Sequence, residues 1–278
     1  MEFDGQKFID ELEKTISSAS ESFASGVNTA NAEMLDDLKA FIATLDKSPS
    51  GSIRATVTNL KKGLKYTNSV NNILLKGTYG KAASEVLTSL FRITTISNAY
   101  FNAAVEGFEP KAVYREVFRQ TLETTKESLL ASGLKANYEQ PLMKVLQQGV
   151  SGQASSKQLT QTLTETLSEN GLSAKWAKNQ VNDGLYQFSR NYTETVSADL
   201  GLQHYLYAGV QIDSTRTWCA EKVGKVFTRA QVLEMAGDSW SGKIPGTNAG
   251  NILVRAGGYG CKHRFIPITK AAYQAMKG

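Results

Sequence analysis

Apolar residues return every three or four positions through most of the first 200 residues, and this spacing commits that part of the chain to amphipathic helices. Phe8, Leu12, Ile16, Ala19 and Phe23 share one helical face, and Ser25-Gly26 predicts a break after it. A second stripe runs through Leu35, Leu38, Phe41, Ile42 and Leu45. The SPSGS segment at Ser48–Ser52 predicts a turn, because Pro and Gly both stop helices. The period restarts at Ile53, Val57, Leu60 and Leu64, and GTYG (Gly77–Gly80) predicts the next break. Val86, Leu87, Leu90, Phe91 and Ile93 lead a stripe towards Tyr100. Gly107 and Pro110 separate it from Val113, Tyr114, Val117, Phe118 and Leu122, and Gly133 is placed to cap that helix. Pro141 can open a helix that GVSGQ (149–153) closes. Leu159, Leu163 and Leu167 mark another, ended by Asn170-Gly171, with Ser173 as N-cap of the next. Trp176, Val181, Leu185, Phe188, Tyr192 and Val196 form a last long stripe up to Leu200-Gly201.

The helical period stops at about residue 201, and 11 of the 23 glycines lie beyond it. His204–Ile212 (HYLYAGVQI) reads as a strand, with aromatic and β-branched residues. KVF (225–227), NILVR (251–255) and HRFIPI (263–268) read as shorter strands, and Thr228 as the N-cap of a helix from Arg229 to Met235. The expected class is therefore mainly α: a multi-helix N-terminal region followed by a small glycine-rich α+β C-terminal domain. The expected divisions are a helical region at 1–140, a helical lead-in at 141–200 and the α+β module at 201–278.

No apolar run approaches the ~18–20 residues that span a bilayer. Asp4, Lys7, Asp10, Glu11, Glu13, Lys14 and Glu21 interrupt the start, so an export signal is not expected. Two cysteines exclude a disulfide scaffold. The net charge of +5 is unevenly placed: residues 1–50 carry 10 acidic against 4 basic side chains, residues 51–150 carry 7 against 13, and residues 201–278 carry 4 against 10. Two basic blocks fit contact with something anionic or, more plainly, solvated helix faces.

Every Cys and His lies in the last module: His204, Cys219, Cys261 and His263. A Cys2His2 set suits tetrahedral zinc, although there is no C-x2-C pair and the C-x-H spacing at 261–263 is unusual. Otherwise each cysteine is a small buried residue, and His204 a core or interface histidine. A Cys219–Cys261 disulfide is not expected in a reducing cytosol. Asp213, Ser214, Thr215 and Arg216 suit a turn, with Arg216 pairing Asp213 or forking onto a phosphate or carboxylate. His263 and Arg264, with Arg216 and Glu221, are residues a small nuclease could use as acid/base and phosphate clamp. No phosphate loop, dinucleotide fingerprint, G-x-S-x-G or H-E-x-x-H accompanies them.

GVQIDSTRTWCAEKVGKVFT (209–228) resembles the phage Mu F-like family of head morphogenesis, or minor capsid, proteins. The family pattern falls on Asp213, Arg216, Thr217, Cys219, Gly224, Lys225 and Phe227. GGYGCKHRFIP (257–267) resembles its closing element through Gly257, Gly258, Tyr259, Cys261 and His263, with WSGKIPG (240–246), headed by Trp240, before it. The stretch from 149 to Gly201 is similar to the family's lead-in. The resemblance implies a structural, non-enzymatic, low-copy protein of a tailed-phage head that assembles in the bacterial cytoplasm. The partners it implies are the portal or major capsid protein. Contact with packaged double-stranded DNA and self-association are further expectations; a membrane partner and a cofactor are not, zinc apart.

Overall fold

The computed structural model describes residues 5–169 and 174–277. The Asn170-Gly171 break and the Ser173 cap lie outside the described residues. The chain is mainly helical, 71% helix against 6% strand, with a three-stranded antiparallel sheet near its C-terminus. In chain order the first helices are α1 (Gly5–Ala43), α2 (Val57–Lys76), α3 (Thr78–Ala104), α4 (Ala112–Lys126), α5 (Ser132–Leu134), α6 (Gln140–Ser151), α7 (Ser156–Glu169) and α8 (Ala174–Asp199). Then follow β1 (His204–Ala208), α9 (Thr217–Ala220), β2 (Val226–Thr228), α10 (Arg229–Glu234), α11 (Ile252–Arg255), β3 (Arg264–Ile268) and α12 (Lys270–Lys277). The fold divides into two compact units. One takes residues up to Ser18, Thr88–Leu122 and everything from Val181; the other takes Ala19–Leu87 and Glu123–Gln180.

In the second unit α1 passes through Ser25-Gly26 without the expected break. A Cβ at Gly26 would lie 2.4 Å from the Ala82 Cβ, so this glycine serves a close approach of α1 to α3 rather than a helix end. GTYG is a junction of one residue: Gly77 caps α2, and Gly80 already lies within α3. The face of α2 also differs from expectation. Val57, Leu60 and Leu64 are 67%, 40% and 48% exposed, and Asn59, Gly63, Thr67, Val70 and Leu74 are buried. Asn59 is drawn inward because its amide closes the preceding loop. It donates to the Asp46 and Arg54 carbonyls (2.9 and 2.8 Å) and accepts from the Asp46 N–H (3.0 Å).

Gly133 does not cap a helix. Two π turns, Glu127–Ala131 and Lys135–Glu139, flank α5 and carry the helical path from α4 into α6. A Cβ at Gly133 would fall 1.8 Å from the Ser128 oxygen, so the bulged turn requires glycine there. Pro141 enters directly after the second π turn, near the start of α6. Gly152 ends α6 as expected, and α7 buries Leu159, Leu163 and Leu167.

In the first unit α8 buries Val181, Leu185, Phe188, Tyr192 and Val196. Trp176, counted in the same stripe, is exposed. Phe8 of α1 stacks on Tyr100 of α3 at 4.3 Å, and the Tyr100 hydroxyl donates to the Pro267 carbonyl at 2.5 Å. The sheet order is β2-β1-β3. Tyr205 sits opposite Phe227 on one side and Pro267 on the other. Pro267 is tolerated because β3 is an edge strand, where its missing N–H costs no ladder bond. Thr228 caps α10 with a full capping box to Gln231, as its position predicts.

Two strand expectations are corrected. β1 stops at Ala208 rather than Ile212, because Gly209 takes φ 151° and turns the chain, leaving Val210 and Ile212 exposed. NILVR is helix α11, not strand. Asn248 and Asn251 organise its start: the Asn248 N–H donates to Asn251 Oδ1 (2.9 Å), and Asn248 Oδ1 accepts the Gly250 N–H (2.8 Å). That side-chain chemistry overrides the strand preference of Ile252 and Val254.

Candidate functional site

The chemistry-bearing residues of the first unit gather where α9 and the 257–263 segment meet the far end of β1. α9 puts Trp218 and Cys219 inward, beside Tyr207, Val232, Ile252, Leu253, Cys261 and Phe265. The Tyr207 hydroxyl donates to Cys219 Sγ at 3.3 Å. Cys219 Sγ lies 3.9 Å from Cys261 Sγ, and Cys261 Sγ lies 3.7 Å from His263 Nδ1. Both cysteines are free thiols. All three side chains are buried.

Two glycines make the cluster sterically possible. A Cβ at Gly257 would stand 2.4 Å from Cys219 Sγ and 2.6 Å from Cys261 Sγ. A Cβ at Gly209 would stand 2.7 Å from the His263 Cδ2, so the ring lies on bare backbone along that edge and turns its Nδ1 edge to the sulfur.

His204, grouped with these residues by type, does not join them. It starts β1 opposite Ile268 and packs on Tyr273 at 4.3 Å. His263 lies beside Gly209, past the other end of a five-residue strand, roughly 16 Å away at ~3.3 Å per residue.

Charged side chains surround the cluster. Arg190 of α8 donates through Nη2 to the Cys261 carbonyl, and Arg264 of β3 donates through Nη1 to Ser189 Oγ at 2.9 Å. Both guanidinium groups lie over the Tyr186 ring, at 5.5 and 5.2 Å. Burial pushes the Arg264 pKa down to about 10, and neighbouring Arg190 adds to the shift. Burial raises Glu13, whose carboxylate is opposed by Arg264, and likewise raises Asp183. The thiol contact from Cys219, assisted by His263 Nδ1 and Arg190, holds Cys261 below the ordinary thiol range; the same contact pushes Cys219 up.

The other motif residues frame this core. Asp213 stays exposed in the turn, and the Thr215 Oγ1 accepts the Ile212 N–H at 2.8 Å. Arg216 turns to the Tyr259 carbonyl (2.5 Å) rather than to Asp213, and a Cβ at Gly242 would strike its guanidinium. Thr217 opens α9 and is exposed. Gly224 (φ 79°) donates to the Tyr207 carbonyl at 2.9 Å, and the Lys225 carbonyl accepts the Tyr207 N–H at 3.0 Å, so these residues lead β2 onto β1. Phe227 is half-buried opposite Tyr205. Trp240 stacks on Trp218 at 4.3 Å and donates to the Gly257 carbonyl at 2.9 Å. Lys222 lies over Trp218 and Lys243 over Trp240. Gly258 (φ 99°) packs so closely on the Gly242 carbonyl that a Cβ would fall 2.0 Å from it, and the exposed Tyr259 donates its N–H to the same carbonyl.

Sequence reasoning did not single out Tyr207, Gly209, Asp183, Tyr186 or Arg190 for the site. Arg190 and Asp183 gave no signal: by the helical period they lie on the face of α8 opposite Val181, Leu185, Phe188 and Tyr192, where charged side chains are ordinarily solvated. Comparison with protein-family models, curated proteins and solved structures finds no match.

Proposed function

We propose that this chain is a structural or assembly protein of a tailed-phage head, acting through contacts with a portal or major capsid protein. What supports the reading is the joint packing of the two motif segments. Residues 213–227 and 257–267 are far apart in sequence, yet Cys219, Trp218 and Arg216 of the first meet Cys261, the 257–259 backbone and Trp240 of the linking loop. Apart from the exposed Asp213 and Thr217, the residues that carry the resemblance thus pack around one connected framework rather than lying scattered. The basic blocks at 51–150 and 201–278 suit a surface facing packaged DNA.

The nuclease alternative draws no support from the geometry. His263 and Arg264 are 5% and 3% exposed, so neither is presented to a nucleic-acid strand. Co-expression with the portal and major capsid proteins of the same genome tests the assembly reading. The chain is expected to co-sediment with assembled heads or co-purify with the portal. A chain that stays at the top of the gradient in the presence of both would overturn it.

A further inference from the structure

We infer that Cys219, Cys261 and His263 form a binding site for one thiophilic divalent cation of the zinc class. The inference rests on the geometry of the first unit and is independent of the role in a phage head.

The three ligand atoms lie within 4.8 Å of one another and all three residues are buried. A zinc ion takes thiolate sulfur at ~2.3 Å and imidazole nitrogen at ~2.0 Å in tetrahedral geometry, so two sulfurs on one ion stand about 3.8 Å apart and a sulfur and a nitrogen about 3.5 Å apart. The observed Cys219–Cys261 Sγ–Sγ and Cys261 Sγ–His263 Nδ1 separations are 3.9 and 3.7 Å, and the remaining pair, Cys219 Sγ and the His263 ring nitrogen, lies within 4.8 Å. A disulfide would require the sulfurs at about 2.05 Å, so the cluster is spaced for a shared ion and not for a bond.

The surroundings agree. Gly257 and Gly209 leave free the space that a side chain would take from the sulfurs and the imidazole. The Tyr207 hydroxyl already donates to Cys219 Sγ, the kind of outer contact that orients a thiolate ligand. Two thiolates and a neutral imidazole balance a divalent charge, which lets the ion sit near Arg190 and Arg264 without adding net positive charge. On binding, each thiol releases its proton to solvent and no electrons are exchanged. Three protein ligands leave the fourth position to a water or other small donor.

The ion would tie α9 to the segment leading into β3, elements that few backbone bonds join. Its expected role is therefore to stabilise the module. The test uses the full chain purified under reducing conditions from zinc-supplemented cells. Elemental analysis is expected to find about one zinc per chain, as a single three-ligand site requires. Titrating metal-free protein with Co2+ should give the thiolate-to-cobalt charge-transfer band and the intense d–d absorption of a tetrahedral centre. Cys261→Ser and His263→Ala are expected to abolish the band, and His204→Ala to retain it. Chelation should lower the Tm of the native chain and zinc should restore it, a readout that holds even where Cys261→Ser fails to fold. The inference is overturned by a chain without zinc that gives no cobalt band, by loss of the band in His204→Ala, or by alkylation mapping that finds Cys219 and Cys261 joined.

Discussion

Gly257 shows how one residue decides the local packing. Ala there would press a methyl against two sulfurs at 2.4 and 2.6 Å. Overpacking of this kind costs about 1–3 kcal/mol, so Gly257→Ala should lower the denaturation midpoint by that much. Gly184 is the internal contrast: it lies inside α8 with nothing within 4 Å of its Cβ position. Gly184→Ala should raise stability by ~0.5–1 kcal/mol, the difference in helix propensity. Equal shifts of the same sign in the two variants would contradict the packing described for Gly257. A second residue-scale case is Asp199, which accepts from Lys111 Nζ at 2.6 Å and the Tyr114 hydroxyl at 2.5 Å. The Lys111 contact, then that of Tyr114, holds its carboxyl below the usual range. A depressed folded-state pKa contributes stability above the unfolded value, ~3.9, and loses it as pH falls through the folded one. Asp199→Asn should therefore melt earlier than the native chain at pH 7, with the gap closing below about pH 4. A gap that does not change with pH would contradict the ion-pair assignment. At this scale the sequence identified Cys219, Cys261 and His263 by residue type. It could not exclude His204, because residue type does not say which end of β1 the cysteines pack against. Nor could it show that Arg190 and Arg264 are buried, since arginine is ordinarily exposed.

Among the elements, the helices were legible, and their ends only where a cap or turn residue acted as such, as Gly152 and Thr228 do. Periodicity reports burial on one face, and the faces of α1, α7 and α8 follow it through Leu12, Leu163 and Leu185. It fails where a polar residue takes an inward position for its hydrogen bonds, as Asn59 does in α2. It fails also where glycine acts inside a helix. Gly26 and Gly133 both read as stops, yet one permits a helix crossing and the other a π turn. Gly26→Ala separates these meanings. Helix propensity alone predicts a gain of ~1 kcal/mol, and the 2.4 Å approach to the Ala82 Cβ predicts a larger loss of about 1–3 kcal/mol. The methyl it meets is anchored to backbone, so the loss should dominate, and thermal melting is expected to show a lower Tm. A higher Tm would mean that α1 and α3 do not approach there. The NILVR segment was misread for a related reason: β-branched content favours a strand, but the asparagines on its N-terminal side build a helical turn.

At the scale of the molecule, mainly helical architecture with a small C-terminal sheet was readable from composition and period. The assembly of each unit was not, because periodicity carries no information about contacts between segments distant in sequence. The sheet module beyond residue 201 belongs to the same unit as residues up to Ser18, Thr88–Leu122 and the second half of α8, with Tyr100 bonded to Pro267 and Arg264 to Ser189. The proposed role in a phage head is also a claim about the whole chain. The direct measurement is crosslinking mass spectrometry on purified heads and on the lysate from which they came. The account predicts that the chain is found in the heads, with crosslinks from residues 1–200 to a portal or capsid protein. A chain recovered free in the lysate, with no crosslink to either, would contradict it.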